Sequence, residues 1–129
     1  MAYEGPQVRV SFKAGADLSA KQFYFVKLDS TEGQVVVCAG TTDKPIGVLQ
    51  NAPASGGEAI VAVSGVSKVN SDAALSVADL IGTAADGQAA AYAPGTDTTK
   101  YIVGQVIAAS ANAGEYASAV INCPGHRGA

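Results

Sequence analysis

Tryptophan is absent from this sequence, histidine and methionine each occur once, and cysteine occurs twice. Charged residues make up only 15% of the chain, against about 25% in an average globular domain. Each scarcity removes a class of function. The eight cationic side chains, Arg9, Lys13, Lys21, Lys27, Lys44, Lys68, Lys100 and Arg127, are scattered and form no run. The net charge is −3. A protein that neutralises phosphates needs a basic stripe, so no nucleic-acid partner is expected. No apolar stretch approaches the ~20 residues that span a bilayer, so no membrane partner is expected either. The opening Met1-Ala-Tyr-Glu-Gly-Pro6 has neither the basic nor the apolar region of a secretory signal, which leads to the expectation of synthesis in a cytoplasm.

The chemistry-bearing residues are equally sparse. A catalytic histidine needs an orienting partner and a rigid seat. His126 lies instead in Pro124-Gly-His-Arg-Gly-Ala129, within a C-terminal tail, 123–129, read as flexible. Cys38 and Cys123 have neither a CxxC partner nor a nearby histidine, so no metal site is expected. Cys38 closes the run Gln34-Val-Val-Val-Cys38 and reads as a small core residue. Cys123, before Pro124, is free to be exposed. Asp72, Asp79, Asp86 and Asp97 do not match the spacing of a calcium loop. Phosphate-binding, nucleophile-elbow and zinc-protease motifs are all missing. The expectation is a protein with no catalytic residues, no metal and no cofactor, and not an enzyme.

What is abundant is Ala, Val, Gly, Ser and Thr. Glycines punctuate the chain between short Val/Ile/Tyr/Phe segments, the pattern of many short strands in a sandwich or barrel. Candidate strands are 7–13, 23–28, 34–39, 46–50, 59–64, 88–93, 102–107 and 116–121. At most one or two short helices are expected. The single candidate is 72–81, with Ser71 or Asp72 as its cap.

The segment Ile46-Gly-Val-Leu-Gln50 through Gly57-Glu-Ala-Ile-Val-Ala-Val63 aligns without a gap on Val103-Gly-Gln-Val-Ile107 through Gly114-Glu-Tyr-Ala-Ser-Ala-Val120, 57 residues later. Gly33-Gln34 aligns on Gly87-Gln88. An internal duplication with half-repeats of about 16–69 and 73–122 is therefore expected, packed as one β domain, 16–122, around a shared core. In it Glu58 and Glu115 occupy equivalent places at loop-to-strand junctions. Residues 1–15 stand outside the repeat as an N-terminal arm and first strand. Alternating Val8, Val10 and Phe12 need a partner surface, either the domain's own sheet or a neighbour's edge.

The order of the blocks carries a resemblance. Ala16-Asp-Leu-Ser19 through Phe23-Tyr-Phe-Val-Lys-Leu-Asp29, Pro45-Ile-Gly-Val-Leu-Gln50, Gly57-Glu-Ala-Ile-Val-Ala-Val-Ser-Gly-Val66, Leu75-Ser-Val-Ala-Asp-Leu-Ile81, Asp86-Gly-Gln88 and Ala113-Gly-Glu115 resemble the capsid cement, or head decoration, proteins of tailed bacteriophages over roughly residues 14–122. The resemblance implies a compact β domain on the outer surface of a virion head. There it would act as a homotrimer, binding the major capsid protein partly through an N-terminal arm, with no catalytic residues. The arm residues expected to touch the capsid are Tyr3, Pro6, Val8, Val10 and Phe12. Ala78 departs from the pattern, since a glycine is expected in such a turn. Two other roles fit the composition: an accessory β domain of a tail or spike, and a glycan- or peptide-binding module using Tyr92, Tyr101 and Tyr116.

Overall fold

The computed structural model describes residues 2–125 and 127–128, and among these it is entirely β. The strands are β1 (Gln7–Ala14), β2 (Phe25–Leu28), β3 (Gln34–Val37), β4 (Gly47–Leu49), β5 (Glu58–Asn70), β6 (Leu80–Thr83), β7 (Ala89–Ala91), β8 (Tyr101–Ile102), β9 (Gly104–Ala108), β10 (Tyr116–Asn122) and β11 (Arg127–Gly128). Nine of them form one sheet in the order β1-β3-β2-β4-β5-β10-β9-β6-β7, and β1 also pairs with β5. The remaining two, β8 and β11, pair with each other. The candidate helix over 72–81 does not form. Ser71 bridges to Ala89 and Leu75 to Ser110, so the segment is pinned to its neighbours, turns at Val77-Ala78, and its end becomes β6, a strand that the glycine punctuation did not reveal.

The duplication is visible ladder by ladder. Val26–Val37 and Leu28–Val35 in β2–β3 correspond to Ile81–Ala91 and Thr83–Ala89 in β6–β7. Phe25–Val48 and Val26–Gly47 correspond to Leu80–Gln105 and Ile81–Gly104. Val48–Ala62 and Leu49–Val61 correspond to Gln105–Val120 and Val106–Ala119. The loop connections repeat as well. Leu18 donates to the Pro53 carbonyl at 2.9 Å, and Leu75 donates to that of Ser110 at 3.0 Å.

The structure corrects the sequence reading of the repeat in three ways. First, the alignment has a gap: the chain from Val106 to its partner Ala119 is one residue longer than the equivalent chain from Leu49 to its partner Val61. Gly56 and Gly114, both at φ +82°, are counterparts. The register therefore sets Tyr116, not Glu115, opposite Asn70, where Glu58 stands opposite Lys13.

Second, residues 1–15 are not outside the repeat. Strand β1 pairs with the first half of β5, from Lys13–Glu58 to Arg9–Ala62, as the second half of β5 pairs with β10, from Asn70–Tyr116 to Val66–Val120. The parallel contact Ala14–Val35 closes the first ring, and the parallel bridge Ser71–Ala89 closes the second. The molecule is thus two five-stranded rings that share β5, and the boundary between the units falls inside that strand.

Third, there are two cores rather than one. Leu18, Val26, Val35, Leu49, Ala59 and Val61 fill the first ring. Their counterparts Leu75, Ile81, Ala89, Val106, Ala117 and Ala119 fill the second. Small residues suit so narrow a ring, because each interior must close at normal packing density. The second cluster also takes in Phe25, Cys38, Val48 and Ala62 from the first unit, and so forms the seam. Backbone bonds cross there too: Phe25 to the Gly87 carbonyl (2.7 Å), Asn70 to Phe23 (3.0 Å) and Cys123 to Val63 (3.0 Å).

Candidate interaction surface

Most of the carboxylates serve turns. Asp86 accepts from the Gln88 amide, Asp79 from Ser76, and Asp97 from Ala93 and Lys100. Glu115 receives the Ala111 amide and the Asn112 side chain, while Glu58 is exposed at the start of β5. Asp43 gathers the amides of Ala39 and Gly40 and the Lys27 ammonium, the last at 3.0 Å. Burial would raise its pKa, but those donors hold it below the ordinary carboxylate value. No group of three His, Cys, Asp or Glu among the described residues could hold a metal ion. His126 lies outside the described residues.

Both thiols are buried. For Cys123 this reverses the sequence reading, which left it free to be exposed: its amide is tied to Val63 and its side chain joins the seam cluster. Burial pushes both thiols up to about 12. Neither offers a thiolate at neutral pH, and the thiolate is the reactive form.

The N-terminal residues expose large apolar side chains on and before β1. Val8 is 57% exposed, Val10 41% and Tyr3 49%. Pro6 is exposed, and Phe12 is half-buried against the first core. The segment before β1 lies on its own chain. Gly5 donates to the Val66 carbonyl at 3.1 Å, and Val66 donates to Pro6 at 3.0 Å. The Tyr3 amide and carbonyl bracket the Ser118 hydroxyl. Of the five expected contact residues, Val8 and Val10 stand together on β1, while Tyr3 sits across β10. The alternation seen in the sequence located the strand; that its apolar side is uncovered could be read only from the fold.

A second feature escaped the sequence. The Phe23 ring meets Tyr116 edge to face, with centroids 5.3 Å apart and planes at 80°. The Lys68 ammonium stands 5.7 Å from the Phe23 ring, and that of Lys21 4.8 Å from the Tyr24 ring. The contact joins the two units. The run Phe23-Tyr-Phe25 was its only trace in the sequence, because Tyr116 comes from the other unit. Tyr92 is not presented as a recognition platform: its ring lies against Gly82 and its hydroxyl donates to the Thr83 carbonyl.

No family model matches the chain, and no curated protein matches it. Among solved structures it is similar to the head fiber gp8.5 N base of bacteriophage phi29, with a TM-score of 0.69 over 92% of this chain and 96% of that one, at 15% sequence identity. The comparison shows that this chain shares the fold of that phage head fiber base.

Proposed function

We propose that the protein is a structural component of a bacteriophage virion that binds the outer surface of the head and stabilises the shell without turnover. The observation that carries this reading is the near-complete overlap in both directions with the phi29 head fiber base. The block order that resembles head decoration proteins supports it independently. So does the distribution of chemistry, with most carboxylates spent on turns and both thiols sealed in the seam, while β1 exposes Val8 and Val10. The partner is the major capsid protein, and the assembly on the head is a homotrimer. Three modest contacts made at once hold far more firmly than any one of them, because each raises the effective concentration of the next.

The test uses heads assembled without this protein, with the purified chain added back. Saturation is expected to raise the temperature at which heads disrupt, since a ligand that binds only the intact shell stabilises it by mass action. The neighbour's own description favours a second reading, in which the chain is the foot of a head-attached appendage. In that case the protein binds heads and leaves their disruption temperature unchanged. Failure to bind heads removes both readings.

A further inference from the structure

One edge of β1 pairs with β5 over residues 7–13. The other edge meets β3 only at Lys13 and Ala14. Among the described residues no strand lies along that second edge from 7 to 12. The Lys13 amide points to this side, where it donates to the Gly33 carbonyl at 2.9 Å. By the alternation of an antiparallel ladder, Ser11 and Arg9 turn their backbone groups the same way. A long open edge with exposed valines is what natural sheets usually blunt or cover.

The duplication shows what such an edge accepts. The counterpart of β1 in the second unit is the latter half of β5, and the counterpart of Arg9 is Val66. There the same edge is filled. Gln7 and Val8 pair antiparallel with Gly65 and Ser64, and Val66 exchanges hydrogen bonds with Gly5 and Pro6 at 3.1 and 3.0 Å. Ser67, the counterpart of Val10, is fully buried there, whereas Val10 is 41% exposed.

We propose that the open edge of β1, from Gln7 to Phe12, is a strand-addition site for an extended acidic segment of the head shell subunit, running antiparallel to β1. The proposal rests on the function given above and names the surface that performs it. Charge selects the occupant. Strand β1 carries Arg9 and Lys13 and no acidic residue. In a self-pairing that keeps the apolar faces together, Arg9 of one copy falls opposite or diagonal to Arg9 or Lys13 of the other, and like charges so placed destabilise a ladder. A segment with carboxylates opposite Arg9 and Ser11, the latter diagonal to Lys13, and apolar side chains over Val8 and Val10 meets no such repulsion. It also buries both valines.

The experiment measures binding of the full chain to heads assembled without it. Ser11→Pro removes an outward amide while leaving every bond to β5 in place, as an edge strand tolerates. Arg9→Glu, opposite the uncharged Ala62, reverses the charge with no backbone change, and it serves if the proline variant does not fold. Each is expected to weaken head binding at least tenfold with an unchanged melting temperature of the free protein. The Arg9 and Ser11 amides, fast to exchange in the free protein, are expected to become protected on heads. Wild type binding heads while the folded variants bind equally well overturns the edge and leaves the function standing. Wild type that does not bind heads overturns both. Protection of the two amides by raised protein concentration alone, without heads, assigns the edge to a second copy and overturns the shell segment as occupant.

Discussion

At the scale of single residues the backbone holds two informative departures. Phe23 and Ala78 adopt φ of +66° and +76°, the only positive values outside glycine among the described residues. They are counterparts: Phe23 donates to the Leu49 carbonyl at 2.7 Å, and Ala78 donates to that of Val106 at 2.8 Å. The left-handed conformation costs an L-residue about 1–2 kcal/mol. The expectation from sequence that a glycine belongs at 78 thus has a physical basis. Phe23 offsets its strain through its ring, held against Tyr116 and beside Lys68, whereas Ala78 brings only a methyl group. Ala78→Gly, which keeps both backbone bonds, is therefore expected to stabilise the protein by about 1 kcal/mol, read as a raised urea midpoint with an unchanged slope. Phe23→Gly is expected to do the reverse, since losing the aromatic pair outweighs the relief. A lower midpoint for Ala78→Gly would mean that the turn is not strained at that position.

At the scale of elements the decisive strand is β5. Its thirteen residues serve as the last strand of one ring and the first of the next. Gly65 sits where the roles change. Its φ is +110°, and a Cβ there would lie 2.2 Å from the Pro6 carbonyl oxygen, so only glycine lets the start of β1 cross this closely. The sequence reading ended the strand at Ser64 because glycine usually marks a turn; here it marks a close crossing of two backbones. From sequence alone, removing residues 1–12 looks harmless to folding. The register predicts otherwise. That truncation strips β1 from six paired positions on β5 and opens the first core, so cooperative unfolding is expected to be lost. Removing residues 1–5 spares β1 and gives up the contacts to Gln7, Val66 and Ser118. It is expected to lower the melting temperature while leaving the far-ultraviolet spectrum unchanged. Both chains melting like the intact protein would show that β1 does not close the first ring in solution.

At the scale of the whole molecule, two cores joined by a shared strand and a buried seam should behave as one. Neither ring can lose β5 without opening the other, and Phe25, Cys38, Val48 and Ala62 of the first unit are buried in the cluster of the second. The expected outcome in calorimetry is a single transition whose van't Hoff and calorimetric enthalpies agree. Two resolved transitions would mean that the units fold separately and that the seam contributes little. A single rigid body also matters for the role on a head, because a flexible pair of rings would transmit little restraint between the subunits it touches.

The all-β class, most strand positions and the duplication were written in local pattern: alternation of apolar residues, turn residues between them, and similar blocks 57 residues apart. These follow from periods of two and from turn chemistry, which a linear reading can see. The tertiary structure alone decided where the repeat begins. β1 and the second half of β5 share little side-chain identity, and their equivalence lies in which backbone edges they pair. It also decided that Cys123 is buried, that Glu115 is not the counterpart of Glu58, and that β6 is a strand. Each of these depends on a partner far along the chain rather than on near neighbours. The exposed side of β1 belongs with them. A run of alternating valines announces a face that needs covering, and only the closed ring shows that this part of it stays bare.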